Sequence, residues 1–531
     1  MSLNELRDAL EDAAAELRGD KAPPRNRPTL ERPPKADFGD YSSNAAMLLA
    51  PVLGEKPRDV AVRLGEAVSG RLADKVARVD VAGPGFLNLF LTDVWYADAL
   101  AATLADGFGG GGASMRERVN VEFVSANPTG PLHLGHARNA AYGDSVARLL
   151  EFHGHDVARE YYINDAGVQM ANFGLALQAR ARGEVPAEYP GEYILDIVGQ
   201  IPGATELRPE ELAERGKEIV LAGMKETLAR FRVEPFDVWF SEKSLYEGDP
   251  PKVQHGIDEL DKQGATYHHE DALWLRAEQF GDDKDRVLIK SDGTYTYLAP
   301  DIAYHQDKRE RGFDRIIDVW GADHHGYVQR MRAAFGALGG DVDRFELLIM
   351  QFVGLVRGGE SVSMGKRAGN LIMLDELIDE LGTDVARWFL LSRSHDTAID
   401  VDLDLAKQEA KENPAHYVRY AHARMSKLLR DADGEPDPAL AHPLQPRERA
   451  LIKRLVAFPA EVSEAADRRA PHRIATYALD LARDYTLFYE DRACKILGSE
   501  QQAFRLALCD SSRRAIARSL DLLGIQAPES M

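Results

Sequence analysis

The 531-residue sequence is poor in cysteine, with only Cys494 and Cys509. Two cysteines make no disulfide framework, and they lack the paired spacing of a zinc site. No zinc is expected, and a reducing cytoplasm fits. Long apolar runs are also missing. No stretch approaches the roughly 18 residues that a membrane helix needs, so no membrane span is expected. The opening MSLNELRDALEDAAAEL is acidic and amphipathic and has no signal-peptide core. Positive charge is in deficit too: 65 Lys and Arg stand against 86 Asp and Glu, a net charge of -21. That excludes a nucleic-acid binder working through overall basicity, but not a local basic surface inside an acidic total. The same acidity equally serves solubility. What is present is an apolar fraction of 44%, ample for ordinary cores, on a chain long enough for three domains at roughly 150 residues each.

Residues 1 to about 18 read as a helix, broken by the Pro/Arg stretch KAPPRNRPTLERPPKADFGDYSSN. Strands are expected from Val76 to Val81 and from Phe86 to Leu91. The run Gly109 to Gly112 reads as a linker and closes a first unit, 1–112. Then comes a short β-rich run, Val119 to Ser125. Asn127, Pro128, Gly130 and Pro131 form a loop after it. The apolar spacing from Leu134 to His153 fits a helix that Gly154 stops, and Val157 to Ile163 is strand-like again. Strand, helix, strand predicts a parallel sheet and an α/β domain over 113–394. Residues from about Phe173 to Gly248 look mainly helical and are expected to be an insertion. Strands are expected to resume from Val287 to Lys290, Arg315 to Trp320 and Glu346 to Phe352. Residues 395–531 show helical periodicity and read as a separate helical domain.

His133-Leu-Gly-His136 lies between the first of these strands and its helix. A helix N-terminus offers free N–H groups and a positive dipole end, which suit phosphate. Gly135 removes a side chain where a nucleotide must lie close. Two histidines there can donate to a phosphoryl group as it gains charge. The bland alternative is a pair of helix-cap residues. The string VEFVSANPTGPLHLGHARNAAYGD resembles the first signature of the class I aminoacyl-tRNA synthetases, and of the arginyl-tRNA synthetases in particular. So do YYINDAGVQM, YPGEYI, FDVWFSEKSLY, DDKDRVLIKSDGTYTYLAPDIAYH, VWGADHHGYV, NPAHYVRYAHARM, LGIQAPESM and, in the first unit, PGFLNLFL. The resemblance spans nearly the whole chain.

It implies a Rossmann-type parallel-sheet catalytic domain with a helical insertion. An N-terminal α+β domain that meets the tRNA elbow and a C-terminal all-α anticodon-binding domain would flank it. It implies a ligase that joins arginine to tRNA with ATP and Mg2+, active in the cytoplasm and expected as a monomer. His133 and His136 would be catalytic, and Gly135 would belong with them to the ATP site. The second class I signature is normally Lys-Met-Ser-Lys. Here Ser363-Met-Gly-Lys366 stands in its place: Ser363 replaces the first lysine, Gly365 replaces the serine, and Met364 and Lys366 remain on the ATP side. An ammonium suits the β- and γ-phosphates; the alternative is a solvated loop lysine. Thr129-Gly-Pro131, ahead of the first signature, holds no substitute lysine.

Arginine is a planar cation with five donors, and a selective pocket needs carboxylates placed for forked bonds. Glu122 interrupts an apolar strand, so it should have a cationic partner: the substrate or a protein Arg or Lys. By the resemblance, Glu122, Tyr297 and Asp301 line the side-chain pocket, while Ser125, Asn127 and His133 lie nearby. His324 stands where some relatives carry glutamine. A cap after Pro300 is the alternative for Asp301. Phe86 and Asn88 would read an unpaired base at the tRNA elbow, or else be core and turn residues. Tyr417 and Arg424, two helical turns apart, and Met531 would lie near the anticodon. Asp323-His-His325 has no third well-placed ligand and is not read as a metal site.

Two other functions fit parts of the sequence. A nucleotidyltransferase sharing the HxGH pattern would not need the helical C-terminal domain. A tRNA-binding paralogue without catalysis would explain the altered second signature but not the retained His133, His136 and Lys366. Lys366→Ala is therefore expected to cripple adenylate formation in an assay with ATP varied. Near-parental turnover would show that another cation, such as Arg367, neutralises the phosphates.

Overall fold

The structure, a computed structural model, describes residues 3–362, 372–439 and 442–531. Helix α1 (Leu3–Arg18) buries Leu6, Ala9, Leu10 and Ala13, the spacing of one helical face. Short strands β1 (Leu30–Glu31) and β2 (Tyr41–Ser43), helices α2 (Ala45–Leu53) and α3 (Pro57–Leu72), and the hairpin β3 (Val76–Ala82) and β4 (Phe86–Leu91) follow. The strands form an antiparallel sheet in the order β1-β2-β4-β3, against which the helices pack. Helix α4 (Asp93–Thr103) leads out of this unit.

The central sheet begins with β5 (Arg118–Glu122), followed by α5 (Leu134–His153) and β6 (Asp156–Ile163). Gly154 caps α5 in the left-handed region, φ 117°, as its sequence position predicts. Helices α6 (Gly167–Ala181), α7 (Tyr193–Gly199) and α8 (Pro209–Arg230) form the insertion. It is shorter than the expected 173–248 span, because β7 (Val238–Ser241) is the sheet's edge strand. Helix α9 (Lys252–Lys262) and strands β8 (Thr266–His269), β9 (Ala272–Leu275) and β10 (Arg286–Ile289) come next. These three strands make an antiparallel sheet of their own, so the run from Val287 to Lys290 does not resume the parallel sheet. That sheet resumes after α10 (Leu298–Glu310), at β11 (Arg315–Gly321), α11 (Val328–Ala337) and β12 (Phe345–Met350). Its order is β12-β11-β5-β6-β7, all parallel.

Strands β13 (Val353–Arg357) and β14 (Glu360–Ser361), helices α12 (Leu374–Leu381) and α13 (Thr383–Leu390), strand β15 (Ile399–Asp402) and the short α14 (Leu403–Ala406) complete this part. β15 lies beyond the expected boundary at 394 and pairs in parallel with β13. The remaining chain is helical: α15 (Pro414–Asp431), α16 (Pro446–Val456), α17 (Phe458–Asp467), α18 (Pro471–Glu490) and α19 (Gln502–Leu522). The N-terminal unit docks on it through Asp93–Arg449 at 2.6 Å and the Thr103 and Ser511 hydroxyls at 2.6 Å.

Helix α5 is clamped on every side. A Cβ at Gly143 would lie 2.3 Å from the Phe123 ring, so the helix seats directly on the end of β5. Arg138, fully buried, donates to the carbonyls of Gln351, Ser394 and Thr397 at 2.8–2.9 Å. Asp144 accepts from Arg148 at 2.9 Å and pairs with the fully buried Arg387 of α13. Arg387 also donates to the carbonyls of Phe231 and Leu523, joining α5, the end of the insertion and the C-terminal helices. Arg387→Met should therefore destabilise the protein by about 3–5 kcal/mol in chemical denaturation, because Asp144 loses a buried counter-charge. Adding Asp144→Asn should restore part of that loss, and a single variant as stable as the parent would contradict this account.

Candidate active site

In the order β12-β11-β5-β6-β7, the chain runs outward from β5 in one direction and then returns to build the other side. The crevice at the carboxyl ends of β5 and β11 is thus a topological switch point, where open α/β sheets bind ligands. The backbone tightens there: Val124 and Ser125 have φ of 69° and 40°. Asn139 of α5 holds the crevice in register, accepting from the Val124 amide at 2.6 Å and donating to the Val319 carbonyl at 2.8 Å.

His133 is the N-cap of α5. Its Nδ1 accepts from the Gly135 amide at 3.1 Å, and the His133 amide donates to His136 Nδ1 at 3.2 Å, a reciprocal cap. The two rings lie 3.8 Å apart. A Cβ at Gly135 would stand 3.0 Å from the His133 ring, which explains the glycine in this chain's own terms. The cap reading and the phosphate reading are compatible. With both Nδ1 atoms accepting, each ring carries its proton on Nε2 and has a donor to spare. Burial lowers the pKa of His133; burial and the neighbouring ring push that of His136 down to about 3. Both are neutral donors at physiological pH.

Three carboxylates stand in register across the middle of the sheet: Glu160 on β6, Glu122 on β5 and Asp318 on β11. Helix α10 answers them. Lys308, fully buried, reaches Glu122 at 2.6 Å and Asp318 at 2.8 Å. Arg311 grips Glu160 with two bonds of 2.8 Å, Tyr304 donates to it at 2.9 Å, and His305 meets Asp318 at 2.8 Å. Glu122 therefore has its cationic partner within the protein. Ser125 Oγ donates to it at 2.9 Å and accepts from the Tyr162 amide at 3.1 Å.

Above this row lies a second carboxylate pair with no such answer. Asp301, in the first turn of α10, accepts from the Tyr327 hydroxyl at 2.6 Å. Glu242, just after β7, has Tyr246 OH at 3.4 Å. Burial, then the charges of Asp301 and Asp165, push the Glu242 carboxyl up to about 7. Burial likewise raises that of Asp301, against the Tyr327 hydrogen bond and the nearby His305 and His324. Among the described residues, the leading influences on either carboxyl include no lysine or arginine. Two such raised acids in one crevice are the kind of perturbed groups that mark candidate binding sites. Sequence reading missed Glu242 and Tyr327: FDVWFSEKSLY marks a familiar string, but nothing local separates Glu242 from a solvated glutamate.

The other expected residues scatter more. Tyr297, which precedes α10, is 89% exposed. Asn127 is exposed on the loop after β5. His324 stands beside the crevice, its ring 5.6 Å from that of Trp320. Met364 and Lys366 lie outside the described residues. The segment just after them is tied to the first signature, with the Leu134 amide donating to the Ile372 carbonyl and the Leu374 amide to the Leu132 carbonyl. Among the described residues no group of three or more His, Cys, Asp or Glu side chains is placed to hold a metal ion.

Away from the crevice, Phe86 is 39% exposed at the start of β4. Asn88 is buried in that strand, accepting from Ser42 at 2.8 Å, so it is not a turn residue. Tyr417 and Arg424 share a face of α15 that lies against α18: Tyr417 donates to Thr486 at 2.9 Å, and Arg424 sits 3.9 Å above the Tyr489 ring. Tyr420 is the exposed aromatic of that helix, stacked on His416, and Met531 is 54% exposed.

A histidine-capped helix at the switch point of a parallel sheet, with helices inserted after its second strand, is the layout of a class I aminoacyl-tRNA synthetase catalytic domain. The model of the tRNA synthetases class I (R) catalytic domain matches residues 100–200 and 205–416. The arginyl tRNA synthetase N terminal domain matches 4–91, and the DALR anticodon binding domain 418–531. The arginine–tRNA ligases of Geobacillus kaustophilus and Bacillus subtilis are 44% and 42% identical, each over 94% of both chains. The Thermus thermophilus arginyl-tRNA synthetase structure superposes with a TM-score of 0.79 at 26% identity, covering 99% of this chain and all of that one. The chain belongs to the arginyl-tRNA synthetases.

His136→Ala should leave the fold intact and slow adenylate formation about 100- to 1000-fold, the usual loss for one donor to a transition-state oxyanion. A folded variant with unchanged pre-steady-state activation would refute the role.

Proposed function

We propose that Glu242 and Asp301 together read the guanidinium of arginine, in an enzyme that activates arginine with ATP and transfers it to tRNA. The observation that carries this is the uncompensated pair of acids at the crevice wall. A ligand cation offsets it, and a guanidinium can bond both carboxylates at once. Glu122 then acts one layer below: with its charge met by Lys308, it holds Ser125 and so the loop that carries Asn127 and His133. His324 and Tyr297 flank the pocket, Tyr297 being free to cover a bound substrate.

In the first step the arginine carboxylate attacks the α-phosphorus of ATP, and the bond to pyrophosphate breaks. The Nε2–H groups of His133 and His136 donate to the phosphoryl oxygens as they gain charge. Gly135 lets the nucleotide approach, and Met364 and Lys366 act from the second signature. ATP enters as its magnesium complex. In the second step a ribose hydroxyl of the 3'-terminal adenosine attacks the carbonyl carbon and AMP leaves. For tRNA, the exposed ring of Phe86, with Asn88 behind it, suits stacking at the elbow. On α15, Tyr417 and Arg424 support the face that presents Tyr420, and the exposed Met531 would act near the anticodon as well. We place the catalytic unit from 113 to the start of α15. A cytoplasmic monomer completes the reading; no helix among the described residues is long and apolar enough to cross a membrane.

The pocket predicts a pH dependence with a definite sign. Arginine is a cation throughout, and it binds the ionised form of Glu242. Below about pH 7 a proton must leave first, so affinity falls with acidity. Titration calorimetry should give arginine binding about tenfold weaker at pH 6 than at pH 8, with proton release seen as a dependence on buffer ionisation enthalpy. Glu242→Gln should weaken binding and flatten the profile; Asp301→Asn should cost at least about tenfold in arginine affinity. Preserved affinity in both variants would place the pocket elsewhere.

A further inference from the structure

Asp165 lies in YYINDAGVQM, just past β6, and is 7% exposed. Its carboxylate is engaged from three elements. Ser241 Oγ donates to both oxygens at 2.8 Å, the Lys243 amide donates to Oδ1 at 3.1 Å, and Lys217 of α8 reaches Oδ2 at 3.1 Å. Residues 241 and 243 are the two neighbours of Glu242. One buried carboxylate thus grips the chain on both sides of the residue assigned to the guanidinium. Ser241 ends β7 and Glu242 opens a single turn of 3-10 helix, a place with little regular hydrogen bonding of its own. Without Asp165 the backbone there would rely on that turn and on the end of the β6–β7 ladder, where Ser241 pairs with Ile163.

Lys217 gives the arrangement its charge balance and its reach. It is largely buried and also pairs with Glu214 at 2.7 Å. Thirteen residues further along α8, about 20 Å at helical rise, Arg230 pairs with Asp375 and Asp379 of α12, and Thr227 donates to Asp375 at 2.7 Å. Helix α12 begins just after the second signature. The inserted helix therefore braces the wall of the arginine pocket against the segment that follows the ATP-side loop.

We propose that Asp165 is a positioning residue for arginine specificity: it sets the backbone around Glu242, so that this carboxylate and Asp301 meet one guanidinium. The inference rests on the pocket assignment above. It differs from a plain structural role, which would lower stability and affect both substrates alike.

The test compares Asp165→Asn, Ser241→Ala and Glu242→Gln in the full chain. Arginine binding is measured by calorimetry, the ATP KM by aminoacylation, citrulline as a neutral competitor, and the fold by thermal melting. Asp165→Asn should weaken arginine about tenfold or more, and Ser241→Ala by about threefold or more. The ATP KM should stay within about twofold, and the preference for arginine over citrulline should shrink. If Asp165→Asn does not fold, Ser241→Ala, which removes one hydroxyl, decides the matter. Loss of arginine affinity in Glu242→Gln but not in Asp165→Asn or Ser241→Ala overturns the positioning role and leaves the pocket standing. Unchanged affinity in Glu242→Gln removes Glu242 from the pocket and this inference with it. A parallel decline of arginine binding, ATP KM and melting temperature assigns Asp165 to the fold alone.

Discussion

The ammonium of Lys308, buried between Glu122 and Asp318, is the interaction on which the crevice depends. Three carboxylates in one row of a parallel sheet would repel one another and could not stay ionised in a dry layer. Helix α10 brings Lys308, Arg311, Tyr304 and His305 down onto that row, which fixes both its height and its rotation over the sheet. The same rotation sets Asp301, two helical turns before Lys308, at the mouth of the crevice. Charge neutralised below thus determines where charge is left unneutralised above.

The segment that begins at Ile372 is joined to the first signature by backbone rather than by side chains. Leu134 and Leu374 exchange bonds with Ile372 and Leu132, so the start of α5 and the start of α12 share a short strand-like contact. Arg138 adds a tie from α5 to the segments around β13 and β15. Arg387 then links α5 to the C-terminal helices through the carbonyl of Leu523, and a Cβ at Gly524 would collide with its guanidinium at 2.3 Å. The helix that carries the first signature and the C-terminal helices are parts of one packed body.

Much of the catalytic core was legible because its signals are local. The β5–α5–β6 unit has a short β-rich run, a long helical period and a stopping glycine; α5 and β6 fall within a residue of expectation, while β5 ends at Glu122, three residues short of the expected Ser125. β7 was hidden inside the helical insertion, because four residues, Val238-Trp-Phe-Ser241, carry too little period to separate from a buried turn of helix. β10 was seen as a strand, yet its partner could not be read: an isolated apolar run does not say which sheet it joins. Glu122 was singled out by its apolar neighbours, and the need for a cation was correct in kind. That the cation is Lys308, 186 residues away, is tertiary information. Glu242 and Asp165 matter for what they meet in space, and sequence spacing is silent on that.

The unmet acids at the pocket have a thermodynamic side. An unfolded Glu242 would titrate near 4.5, while in the folded chain it titrates near 7. The folded state holds the extra proton between these values, so this group's contribution to stability is greatest in acid and declines as pH rises from about 4.5 to about 7. A bound cation that prefers the ionised form reverses the trend, since any ligand of the folded state stabilises it by mass action. On the proposed assignment, the protein without arginine is loosened by this site near neutral pH, and arginine is the piece that tightens it. The proposed pocket thereby ties folding stability to substrate supply, the arginine-free chain being the less stable form.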